Sequence, residues 1–320
     1  MSARRGRARL PSWVPTAVGI TLTAGLAALA LAGAPIPAWL TVGNPLPASD
    51  IEQRAARAER LWRGAVEDIA RARGVAFDNA LIGSELTPLV TTLGELEAKR
   101  VGVSSAWARV LASELHRAGV GAGDEVAASF SGSFPGLNLA VVAACQALDA
   151  RLAAVSSVTA SSFGATDEGF TWPEIEARLV RSGRMRPASV AVSAGGDGDR
   201  ALDLDEEGRL LAQRIAAATA RALGARLIEP ASFDEAIRER FAAYDAARGA
   251  RPLAAFVNVG GTQASLGSSP AILRVRNGWI EPVVFDRSPG RGLVARMVER
   301  GVPVLHMLNV RDLAVRWGVL

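Results

Sequence analysis

The sequence predicts an α/β fold, a mainly parallel sheet flanked by helices, carried behind a single N-terminal transmembrane helix. Two patterns carry this expectation. Short apolar runs rich in Val and Ala alternate with segments of helical period, the form of successive βα units. Ahead of them, residues 10–49 hold no charged residue and follow a cluster of Arg4, Arg5, Arg7 and Arg9. With 320 residues, 49% of them hydrophobic, and Cys145 as the one cysteine, the chain must hold its fold by core packing, without a disulfide.

In chain order, residues 1–13 read as a basic cytoplasmic tail and 14–34 as the membrane helix. About twenty apolar residues cross about 30 Å of hydrocarbon. Trp13 and Trp39 bracket the segment as interfacial aromatics would, and the arginines lie on one flank only. The positive-inside rule then puts the N-terminus in the cytoplasm and the rest of the chain outside the membrane. A cleaved signal peptide is the competing reading, because Ala32-Gly33-Ala34 has the small-x-small form of a cleavage site. Pro35 directly after it and the length of the apolar run favour the anchor. Arg4-Arg5 lacks the apolar continuation of a twin-arginine signal.

Residues 35–49, with four prolines, read as a semi-rigid spacer, and 50–320 as the exported domain. Asp50 is placed to cap a helix running to about residue 74, a stalk or the first helix of the domain. Strands are predicted at 125–130, 152–157, 189–193, 226–229, 253–259, 271–275 and 303–307. Helices are predicted at 104–118, 137–148, 173–181, 206–223, 233–247 and 292–300. Thr171-Trp172-Pro173-Glu174 reads as a capping box with an early proline, and Asp205 as an N-cap. The strand-to-glycine-loop units at 125–140 and 253–267 suggest two pseudo-equivalent halves.

Charge excludes one class of partner. Of 36 basic residues four are the leading arginines, which leaves 32 against 32 acidic ones, so the domain is neutral and nucleic acid is not expected as a partner. Lys99 is the sole lysine. Two histidines and one cysteine cannot build a typical zinc site, and the acidic run Asp197-Gly198-Asp199 with Asp203 and Asp205 lacks calcium-loop spacing. No metal and no cofactor is expected.

Ligands of open α/β sheets bind beyond the carboxyl ends of the strands. The residues there are small and polar: Ser131, Gly132 and Ser133; Thr159, Ser161 and Ser162; Gly195 and Gly196; Asn258, Gly260, Gly261 and Thr262. Taken together they could line a pocket of hydroxyls and backbone N–H groups for a carboxylate or phosphate, although each loop alone is also what an ordinary turn needs. No Gly-x-Gly-x-x-Gly or Walker lysine motif occurs. Ser131 stands at a sharp strand-to-helix turn, without Gly-x-Ser-x-Gly flanks, and His306 is the sole plausible base for it.

The stretch Ile82-Gly83-Ser84-Glu85-Leu86-Thr87-Pro88 through Lys99-Arg100, with Ser131-Gly132-Ser133-Phe134-Pro135-Gly136 and Phe163-Gly164-Ala165-Thr166, resembles the poly-gamma-glutamate system protein family. The resemblance spans nearly the whole chain and implies an accessory role beside the membrane-bound machinery that makes and exports poly-gamma-glutamate. Its synthase and export subunits would be partners, and the polymer or a glutamate-like anion the ligand. The resemblance brings no catalytic residues. An envelope hydrolase or transferase acting on gamma-glutamyl bonds, with Ser131 or Thr159 as nucleophile, is the alternative, and a pure scaffold the third possibility.

Overall fold

The computed structural model describes residues 47–72, 80–280 and 290–320. The predicted basic tail, membrane helix and nearly all of the spacer lie outside the described residues. Among the described residues no helix is long and apolar enough to cross a membrane.

The chain runs α1 (Ala48–Ala72), β1 (Val90–Thr92), α2 (Leu96–Gly102), α3 (Ala106–Arg117), β2 (Glu125–Phe130), α4 (Pro135–Ala147), β3 (Arg151–Ser157) and β4 (Ala160–Ser161). It continues through α5 (Trp172–Arg181), β5 (Ser189–Ser193), α6 (Glu206–Leu223), β6 (Arg226–Ile228), α7 (Phe233–Arg248), β7 (Leu253–Val259) and α8 (Gln263–Leu266). The last elements are β8 (Gly278–Trp279), α9 (Leu293–Glu299), β9 (Val304–Met307) and α10 (Val310–Arg316).

Seven strands form one sheet in the order β6-β5-β3-β2-β7-β9-β8, parallel except for β8, which is antiparallel to β9. β1 and β4 form a separate parallel pair. All six residues of β2 are buried, as expected for a parallel strand covered on both faces. Val126, Ala128 and Phe130 of β2 meet the helices α1, α3, α4, α5 and α10, while Ala127 joins the core beneath α7 and α9 on the opposite face. A third cluster packs α6 against Leu89, Val158 and Val192.

α1 is a domain helix. Ile51, Ala55, Trp62, Val66 and Ala70 form its buried stripe, and Trp62 Nε1 donates to the Arg184 carbonyl at 2.8 Å. The helix begins before Asp50, which sits in the first turn and acts there by its charge. Glu174 accepts from the Thr171 backbone at 3.0 Å, and Asp205 from the Gly208 backbone at 2.8 Å, so both predicted helix starts form.

One predicted strand is wrong: residues 271–275 lie largely in a 3-10 turn, Pro270–Arg274. The Ile272 backbone N–H donates to Ser269 and that of Val275 to Ile272, the i to i−3 bonds of a tight helical turn. β2 and β7, predicted to open two halves, are neighbours at the centre of one sheet. From β2 the chain moves outward through β3, β5 and β6; α7 then carries it back, and β7, β9 and β8 extend the other side.

Candidate functional site

The reversal of strand order falls between β2 and β7, the place where an open α/β sheet leaves a crevice. A cleft of about 500 Å³ opens there. Its wall comes from the segments that follow four strands: Ser131 and Ser133 after β2, Thr159 and then Ser161 of β4 after β3, Gly196 after β5, Gly261 and Thr262 after β7. The structure thus brings seven of the predicted binding residues to one cavity. Thr91, Thr92 and Leu93, from the β1–β4 pair, close one side. Leu93 and Leu273, 83% and 66% exposed, stand on the lining as apolar groups open to solvent.

Several predicted residues sit behind this wall. Gly195 (φ 81°) and Gly260 (φ 83°) adopt backbone that favours glycine, and an added Cβ would stand 2.6 Å from Thr159 Oγ1 and 2.8 Å from Ser131 Oγ respectively. Both therefore leave the room that a cleft hydroxyl occupies. The Gly132 carbonyl accepts from Ala165 at 2.8 Å, and Ser162 is buried with no partner for its hydroxyl among the described residues. Asn258 Nδ2 donates to the Gly260 carbonyl at 2.8 Å and to His306 Nδ1 at 3.1 Å.

No hydrogen bond pairs Ser131 with His306. Ser131 Oγ accepts from the Ser133 backbone at 2.9 Å. His306 on β9 is in register with Asn258, which is in register with Ser129 on β2. A whole strand separates the two, about 10 Å at the usual strand spacing. Since Nδ1 accepts from Asn258, the ring proton is on Nε2, which has no partner among the described residues. Burial pushes the His306 pKa down to about 4, so the ring is neutral at physiological pH.

Lys99 is the site residue that the sequence reading passed over. It lies on α2, 3% exposed, and its ammonium donates to the Ser133 carbonyl and to Ser161 Oγ, both at 2.7 Å. It also stands 4.3 Å from the centre of the Phe134 ring. Burial pushes its pKa down to about 7. Ser133 Oγ in turn accepts from the Ser161 backbone at 3.0 Å and from Ser161 Oγ at 3.2 Å. The signal was available, since this is the one lysine in a chain whose other cations are arginine.

Beneath the strand ends lies a buried ion pair. Arg240 from α7 donates to both carboxylate oxygens of Asp199, at 2.7 and 2.8 Å. It reaches Ser129 at 3.3 Å, Ser157 at 2.9 Å and Ser193 at 2.8 Å, the hydroxyls of three neighbouring strands. Ser265 links Ser129 to Thr262 through hydroxyl bonds of 2.7 and 2.9 Å. The acidic run is accounted for by such contacts: Asp203 accepts from the Asp197 backbone at 2.9 Å. Among the described residues no group of three His, Cys, Asp or Glu could hold a metal ion. Compared with protein-family models, with curated proteins and with solved structures, the chain matches none.

Proposed function

We propose that the protein is a membrane-anchored accessory component of poly-gamma-glutamate synthesis or export, whose domain binds the γ-linked glutamate chain or a glutamate-like anion in the strand-end cleft. One observation carries the reading. The three segments on which the family resemblance rests are far apart in sequence and bond to one another beside this cleft, to whose lining the first gives Thr91, Thr92 and Leu93 and the second Ser131, Ser133 and Phe134. The Gly83 backbone donates to the Phe163 carbonyl at 3.2 Å, Phe163 to Ser84 at 3.0 Å, and Ala165 to Gly132 at 2.8 Å. Lys99 closes the set through Ser133. The hydroxyls of Ser131, Ser133, Thr159, Ser161 and Thr262 on the lining, with Lys99 bonded to Ser161 behind them, suit a carboxylate, which accepts several hydrogen bonds at once.

Calorimetric titration of the full-length protein with poly-gamma-glutamate and short γ-glutamyl oligomers tests this. Saturable binding is expected. Thr159→Val, which removes a cleft hydroxyl at nearly constant volume, should weaken it about 2- to 10-fold, the worth of one hydrogen bond. Absence of heat, or affinity untouched by Thr159→Val and by a bulky residue at Gly261, would remove the cleft from the account.

A further inference from the structure

We infer that Ser161 and Lys99 form a serine–lysine dyad able to break or transfer an acyl group at an amide bond. The substrate class, a γ-glutamyl amide, rests on the preceding reading; the dyad itself does not. Its geometry is that of an activated nucleophile: the hydroxyl stands on the cleft wall and a lysine nitrogen lies 2.7 Å behind it. Ser133 fixes Ser161 from the side by accepting from its backbone; the Ser161 hydroxyl donates to Ser133 while Lys99 is an ammonium, and rotates to donate to Nζ, the nearer group, once Lys99 is neutral.

Lys99 has no carboxylate partner among the described residues. Buried lysines are almost always paired with a carboxylate, yet Lys99 contacts a carbonyl, a hydroxyl and an aromatic face. The neighbouring charges are engaged elsewhere. Glu97 pairs with Arg100, and Glu95 with Arg311. Across the cleft, Asp197 accepts from Gln263 and Asp203 from the Asp197 backbone. Arg240 is held by Asp199 beneath the floor. Burial pushes its pKa down to about 7, which brings the neutral amine with its free lone pair within reach of physiological pH.

Space for the chemistry is kept by Gly94. A Cβ added there would stand 3.2 Å from both Ser161 Oγ and Lys99 Cε. In the forward step neutral Lys99 Nζ takes the Ser161 proton as Oγ attacks the amide carbonyl carbon. The tetrahedral adduct then collapses, the C–N bond breaks, and the Lys99 ammonium returns the proton to the leaving nitrogen. This leaves a free amine and an ester on Ser161. Water, losing its proton to Lys99, hydrolyses the ester to a carboxylic acid and restores the serine. An amine from a second chain in place of water would complete a transfer.

A fluorophosphonate probe, which phosphonylates activated serines, tests the dyad without any γ-glutamyl ligand. The full-length protein is labelled across a range of pH and the modified peptide is located by mass spectrometry. Labelling at Ser161 is expected, rising about tenfold per pH unit below 7 and levelling above it, as one deprotonating base requires. Lys99→Met and Lys99→Arg should each lower the rate at least about a hundredfold, the worth of a general base, and Ser161→Ala should abolish it. No label at any pH at which the protein stays folded, label on another residue, or a flat pH profile would overturn the proposal. Because the wild-type profile decides this, a misfolded Lys99 variant leaves the test intact. Labelling without calorimetric binding of γ-glutamyl oligomers would keep the dyad and discard its substrate; binding without labelling would do the reverse.

Discussion

Arg240 shows how single residues shape the cleft floor. Its guanidinium is fully buried and forked onto Asp199, while its remaining donors gather hydroxyls from β2, β3 and β5. Asp199 itself has φ 63°, a left-handed conformation that aspartate tolerates better than most residues. Removing one partner strands a charge that has no water to turn to. Asp199→Ala should therefore cost about 3–5 kcal/mol of unfolding free energy, read from denaturant midpoints. The double change Asp199→Leu with Arg240→Met should cost less than the sum of the two singles. Additive losses would mean that the pair is not coupled. Their pairing was not legible beforehand, because 41 positions separate the two and an internal salt bridge leaves no periodic trace; Asp199 stood out only as part of an acidic run. Lys99 was visible by its rarity alone, and only burial shows that it is unusual.

At the scale of elements, legibility followed length and burial. β2, β5 and β7 were placed to the residue, because continuous Val/Ala runs between turn-forming residues have no other stable use in an α/β chain. β1 and β4 were not, since strands of three and two residues are too short for any period to show. The site suffered from this: the β1–β4 pair and the seven-residue helix α2 supply one wall and Lys99. Gly208 ties these parts together. It lies inside α6, where alanine would ordinarily gain up to about 1 kcal/mol in helix propensity. Here an added Cβ would fall 2.1 Å from the Pro88 carbonyl oxygen, so the segment leading into β1 would have to move. Gly208→Ala is expected to destabilise by about 1–3 kcal/mol and to weaken ligand binding, although it touches no cleft residue. A thermal melt showing a stabilised variant would contradict the close approach.

For the whole molecule, buried titratable groups set how stability varies with pH. His306 has its pKa pushed down to about 4 from 6.5, so between these values the unfolded chain holds a proton that the folded one does not, and stability climbs with pH. Buried Glu59 and Glu176, both pushed up by desolvation, oppose it above pH 4.5. Lys99, at about 7 folded against 10.5 unfolded, gives the same sign as His306 across that higher window. Cys145, pushed up to about 12 from 9, gives the opposite sign, because above pH 9 the unfolded thiol ionises first. Buried Tyr244 adds to that decline above pH 10. Between pH 7 and 9 Lys99 acts against the two buried carboxyls, and its one proton should contribute a rise of roughly 2 kcal/mol in unfolding free energy over the interval. Urea midpoints at constant ionic strength measure this. The rise should disappear in Lys99→Met, which carries no titratable group into the same site. Equal slopes in both proteins would mean that Lys99 keeps its ordinary proton affinity, and the nitrogen behind Ser161 would then be a permanent cation, fit to hold an anion and unfit to accept a proton.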